Sequence, residues 1–188
     1  TCPKNPGLYL LTSKDKAGAM KLLYNIVSQV AANNCYTDVK MVFIYNERSV
    51  EDRQSWDFAR WLPHSWSEDK KTRYLASSKD EAADIFYEIA SIMRIRGEEK
   101  KDNVGDKKIL PKPYYLLFVR DSELLEGQLI SKYVFDPKPE YGLTTFIMSD
   151  KYTDLPNECE NIVQWDEYYS GMFDATDIGS KKKDVVFD

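Results

Sequence analysis

Four stretches of the sequence carry residue types that could do chemistry. The first is LLTSKDKAGAMKLL at 10–23, an apolar run, a polar turn with Lys14 and Lys16, and then an apolar-periodic segment. A phosphate-binding loop has this layout, because backbone N–H groups at a helix start, helped by a lysine, attract phosphate oxygens. The glycines that let backbone wrap a phosphate are missing: Gly18 stands alone, and no Lys-Ser or Lys-Thr pair follows it. Asp15 adds negative charge to the same turn. Two readings remain open here, an unusual anion site built on Lys14 and Lys16, or a polar turn whose Ser13 caps a helix.

The second stretch is FVRDSE at 118–123, an apolar run closed by Arg120 and Asp121; it lacks the further serine of a DxSxS metal site. The third is WLPHSW around His64, the only histidine, so no triad, HExxH pair or zinc cluster can be assembled. His64 reads as a structural or interface residue. The fourth is the aromatic group Trp56, Phe58, Trp61 and Trp66 beside Arg60. Tryptophan and arginine are enriched where proteins bind one another, but Trp56 and Phe58 cannot share one helical face. Part of the group therefore fills core, and the remainder, with Arg60 and His64, forms a candidate contact surface.

The elements that must position these residues are visible as apolar runs. Residues 7–13, 39–46, 114–121 and 143–150 are nearly continuous in apolar character, as in strands covered on both faces, and the intervening segments are long enough for helical crossovers. Leu23, Ile26, Val27 and Val30 form a helical stripe after the first run. Ser49 with Asp52, and Ser78 with Glu81, have the spacing of capping boxes, the first opening a helix that closes before Pro63. In the second helix Ala82, Ile85, Phe86, Ile89, Ile92 and Met93 line one face. A short strand, RYLAS, precedes it. The tract 97–108, GEEKKDNVGDKK, reads as a mobile solvated loop, NIVQW at 161–165 as an edge strand, and KKKDVVFD at 181–188 as a linker.

Composition narrows the classes further. A chain of 188 residues with 43% hydrophobic and 30% charged residues has the makeup of one folded α/β domain. A net charge of −5 with both signs interspersed gives no basic field for nucleic acid. Cys2, Cys35 and Cys159 are odd in number and widely spaced, which fits neither a disulfide framework nor a CxxC pair and implies a reducing, intracellular setting. No apolar run reaches the roughly 20 residues of a membrane helix.

The order of strand, helix, strand, LPH, short strand, SKDEA helix, loop, KPYYLLFVRD and GLTTFIMSD resembles the FtsK/SpoIIIE-type ATPase superfamily. Within it, YTDVKMVFIYNE, WDFARWLPHSWSEDKKTRYLASSKDEA and DLPNECENIVQW are most similar to the membrane-proximal ATPase-like module of EssC-type motor proteins of type VII secretion. The resemblance implies a RecA-like, mainly parallel sheet with helices on both faces, in one degenerate ATPase-like domain over 1–180. The strand 143–150 would lie beside the first strand or beside 114–121.

The superfamily's loop is GxxxxGK[ST], whereas this chain has TSKDKAGAMK; its magnesium-binding strand ends in Asp-Glu, whereas Arg120 and Asp121 stand at those positions. Lys14, Lys16 and Asp121 are thus expected to mark a degenerate nucleotide site, with no cofactor, metal or catalytic residue in this domain, although a full-length motor would be an ATPase. ATP with magnesium, bound or weakly hydrolysed, is the alternative. The resemblance further implies neighbouring ATPase domains and a membrane-linked segment of the same chain as partners. Other type VII components join them, and homo-oligomers are compatible with a longer motor. The implied location is the cytoplasmic face of a bacterial membrane, with Trp56, Arg60, Trp61, His64 and Trp66 as the contact surface. An unrelated α/β binding domain with the same layout is the third reading.

Overall fold

In a computed structural model that describes residues 7–12, 16–102, 110–149, 159, 161–165, 170–174 and 185–186, the apolar runs become the strands of one sheet. In chain order they are β1 (Leu8–Thr12), β2 (Val39–Ile44), β3 (Leu75–Ala76), β4 (Tyr114–Val119), β5 (Leu143–Met148), β6 (Asn161–Trp165), β7 (Ser170–Asp174) and β8 (Val185–Val186). The spatial order is β3-β2-β4-β5-β1-β6-β7-β8. The first six are parallel to their neighbours, while β7 and β8 are added antiparallel.

The helices are α1 (Lys16–Asn33), α2 (Val50–Trp56), α3 (Lys79–Asp102) and α4 (Ser131–Phe135). They divide between the two faces. Alternate strand residues point to opposite sides: Met41 and Phe43 join Leu23, Val27 and Val30 of α1 and Trp56 of α2, whereas Val42 and Ile44 join Ile85, Phe86, Ile89 and Met93 of α3. All six residues of β2, β4 and β5 are buried, which explains why these runs are mostly apolar instead of alternating, with Lys40, Thr144 and Thr145 as the polar exceptions.

Sheet register is reinforced on the α1 face by an aromatic row. Tyr9, Phe146, Phe118 and Phe43 are register partners in turn across β1, β5, β4 and β2, and their rings stack at 5.4, 5.1 and 5.2 Å between centroids. Each such contact contributes about 0.5–1.5 kcal/mol beyond area burial, and a slip of one residue would turn the whole row to the other face.

Both proposed caps form, each with a small departure. The Ser49 side chain accepts from Asp52 N–H at 3.2 Å, and the Asp52 carboxylate accepts from Arg48 N–H. Ser78 Oγ likewise accepts from Glu81 N–H, while Glu81 Oε2 accepts from both the backbone N–H and the hydroxyl of Ser77 at 2.8 Å. The helix opened by Ser49 remains α-helical only to Trp56 and continues as a 3-10 helix, Asp57–Trp61.

Three expectations are corrected. Residues 97–102 are the last turns of α3, not loop, because the Glu and Lys run favours helix and Gly97 leaves room against the Tyr141 ring, where a Cβ would come within 3.2 Å; residues 103–108 of that tract lie outside the described residues. β6 is not an edge strand, because β7 folds back antiparallel beside it. Val185–Val186, in the expected linker, pairs with β7.

Candidate functional site

Because β1, β2, β4 and β5 are parallel, their carboxyl ends share one edge of the sheet, where α/β proteins place their ligands. At the end of β1, Lys16 is the first residue of α1 and Gly18 lies buried in its first turn, part of the helix rather than of a loop. Ser13, Lys14 and Asp15 lie outside the described residues. β5 separates β1 from β4, so Asp121 sits about 10 Å across the sheet from the end of β1, two strand spacings away.

Asp121 follows β4 in an extended conformation and is engaged through both carboxylate oxygens. Arg48 Nη2 donates to Oδ2 at 3.1 Å, and Arg120 Nη1 lies 3.8 Å from Oδ1. Arg48 comes from the loop between β2 and α2, so the pair bridges two strand ends. Around it is a groove of about 330 Å³ lined by Asn46, Arg48, Lys79, Asp121, Glu123 and Glu126 among others. Lys79, opening α3, donates to the Glu123 carbonyl at 3.4 Å.

The aromatic candidates lie in the segment 56–67, whose turn Pro63–Ser65 packs on β2. They do not form one exposed surface. Trp56 is 2% exposed, stacked on Tyr45 at 5.4 Å and set edge-on to Phe43; it is core, which corrects its inclusion in the contact surface. His64 is 4% exposed, and its Nε2–H donates to the Asn34 carbonyl at 3.0 Å beyond the end of α1, while Nδ1 is buried without a partner. This hydrogen bond ties the end of α1 to the 3-10 turn Pro63–Ser65. Arg60 is half exposed and pairs with Asp57 one turn earlier at 3.1 Å.

Trp61, in contrast, is 82% exposed, and Trp66 is partly exposed with the Arg73 guanidinium 4.3 Å above its ring. These two line a groove of about 750 Å³ together with Tyr36, Lys40, Pro63 and Lys70. Lys40 is the residue that the sequence reading missed. It interrupts the apolar run VKMVFI at its second position, and that lone charge in a buried strand was the available signal.

Among the described residues no group of three or more His, Cys, Asp or Glu could hold a metal ion, and no helix is long and apolar enough to cross a membrane.

No family model matches the chain. It is similar to the ESX secretion system protein YukB of Bacillus subtilis, with 22% identity over 169 residues, covering 87% of this chain and 10% of YukB. It is also similar to the type VII secretion system protein EssC of Staphylococcus aureus, with 23% identity over 142 residues, covering 75% of this chain and 9% of EssC. The chain therefore spans about one tenth of the length of these relatives. Among solved structures, ATPases 2 and 3 of Thermomonospora curvata EccC superpose with a TM-score of 0.61 at 12% identity, over 84% of this chain and 30% of that one. The six-stranded parallel sheet flanked by helices is the RecA-like P-loop fold of those ATPase domains, and the chain is a homologue of the YukB and EssC proteins of type VII secretion.

Proposed function

We propose that this chain is a catalytically degenerate, ATPase-like module of an EssC-like type VII secretion motor, with a structural role in assembling that motor. The observation that carries the proposal is the state of Asp121. Magnesium at an ATPase site is held by oxygen ligands on a strand-end carboxylate. Here the strand ends in Arg120, and both oxygens of the following Asp121 face guanidinium groups, Arg48 on one side and Arg120 on the other. A divalent cation would have to displace one arginine and sit beside the other, so the residues present do not suit magnesium. The loop sequence points the same way, since TSKDKAGAMK cannot supply the glycine-borne N–H cradle.

In this reading the module sits at the cytoplasmic face of a bacterial membrane as part of a longer, anchored chain. It is coupled there to neighbouring ATPase domains, to the membrane-linked segment and to other components of the secretion machine.

Calorimetric titration with magnesium-ATP tests the reading. Each charge-assisted hydrogen bond missing from the phosphate cradle removes roughly 1.5–3 kcal/mol, so three or four absent bonds remove most of the about 8 kcal/mol that micromolar affinity requires. No binding is expected at micromolar concentrations. A low-micromolar dissociation constant lost on Lys14→Ala or Lys16→Ala would instead make this a nucleotide-binding or weakly hydrolysing domain.

A further inference from the structure

Lys40 is an anomaly in its strand. β2 is buried at all six positions, and Lys40 itself is 4% exposed, where valine or isoleucine would pack without desolvating a charge. No ion pair compensates it among the described residues. Its ammonium lies 5.8 Å from the centre of the Tyr36 ring, and Glu68 acts on it only from beyond ion-pair distance. Desolvation by burial depresses its pKa, with the positive charge of Lys70 adding to the effect.

Lys40 lines the 750 Å³ groove whose walls include Tyr36, Trp61, Pro63, Trp66 and one carboxylate, Glu68, and Trp61 leaves most of its side chain in water. Lys70 adds a second positive charge at the rim. It occupies a left-handed backbone conformation, φ 57°, in the turn closed by Ser67 and Asp69, a position that asparagine or glycine would fill with less strain. Two lysines thus face one carboxylate in this groove, which leaves its lining with a positive excess beside the exposed ring of Trp61 and the Trp66 ring, one face of which Arg73 covers. Their charge calls for an anion, and the surrounding rings call for an apolar group attached to it.

We infer that this groove is a docking site for an acidic, apolar segment of another polypeptide, in which a carboxylate meets Lys40 and Lys70 while an adjoining apolar side chain lies against Trp61, Trp66 and Tyr36. The arrangement combines a desolvated charge with aromatic anchors, the two features that dominate binding energy at protein interfaces. It lies away from the strand-end edge that carries Asp121, so it stands whether or not that edge binds nucleotide.

The smallest probe with this chemistry is N-acetylphenylalanine, with N-acetylphenylalaninamide as its uncharged control. Titrated into the 188-residue chain and read from the indole N–H resonances of Trp61 and Trp66, the carboxylate should bind about fivefold more tightly than the amide at low ionic strength. Lys40→Met should abolish that preference while the chain stays folded by its remaining resonances. In wild type, molar salt should erase it too, an arm that needs no variant. Trp61→Ala should weaken acid and amide alike. Equal affinities for acid and amide in wild type, or a preference that survives Lys40→Met, would overturn the inference. So would indole shifts that follow protein concentration alone, because the occupant would then be a second copy of this chain.

Discussion

Arg48 holds Asp121 across 3.1 Å while more than half of its own side chain remains in water. An exposed pair of this kind contributes little, so Arg48→Ala should change unfolding free energy by no more than about 0.5 kcal/mol. A loss above 2 kcal/mol in urea denaturation would mean that the pair is a structural strut, and the degenerate-site reading would lose its main support. Lys40 makes the opposite case. Burial lowers its pKa, so the folded chain binds its proton less tightly than the unfolded chain, and the resulting penalty is fully present at neutral pH. It fades as pH rises through the folded value toward the unfolded one, near 10.4. Lys40→Met should therefore stabilise the chain by about 1 kcal/mol at pH 7, and its advantage over wild type should shrink in denaturation curves as the pH is raised toward the unfolded-state value. At this scale the sequence was readable for residue type and silent about partners. FVRDSE displays Arg120 and Asp121, but the guanidinium that closes the cluster comes from Arg48, 73 positions away.

At the scale of elements, the start of α3 shows how far a local pattern reaches. Ser78 and Glu81 were legible as a cap because the contacts span three residues. Hydrogen bonds from the backbone and hydroxyl of Ser77 hold the Glu81 carboxyl below its usual range. A depressed carboxyl pKa gives stability that is present above the unfolded value, about 4.3, and is lost as pH falls through the folded one. Glu81→Gln should cost about 0.5–1 kcal/mol at pH 7, and its difference from wild type should narrow below pH 4. If the difference does not change across that range, the carboxylate is not what caps the helix. What the sequence hid at this scale depends on distant neighbours. Gly97 looks like the end of a helix, yet α3 runs past it because Tyr141 lies against the glycine. Asn161–Trp165 has the length and composition of an edge strand, and only β7 folding back makes it internal. Gly142, by contrast, enters β5 at φ 63° with Pro111 Cγ only 2.7 Å from where a Cβ would stand. Gly142→Ala should thus lose more than about 1 kcal/mol, from left-handed strain together with the clash.

At the scale of the whole molecule, the aromatic stretch divides between the interior and the outer surface. Helical periodicity indicated that Trp56 and Phe58 could not share a face, yet both rings lie edge-on to Phe43 at the end of the aromatic row, at 6.3 and 5.6 Å, because the chain passes from α-helix to 3-10 helix between them. Trp61 closes the 3-10 helix Asp57–Trp61 and is 82% exposed where most large apolar side chains of the described residues are covered. The two tryptophans should therefore respond in opposite ways to the same substitution. Trp56→Ala empties a closely packed site and should cost about 3–5 kcal/mol, enough to unfold a domain of ordinary stability. Trp61→Ala removes no buried contact of comparable extent and should leave the unfolding free energy within about 0.5 kcal/mol of wild type. If Trp61 serves contacts between modules, its alanine variant will instead show its defect when the chain is measured in a longer motor, as weakened association or export at unchanged thermal stability. A Trp61→Ala chain that melts like Trp56→Ala would make the whole stretch core. One that retains full stability together with full assembly would leave the exposed indole without a role in contacts.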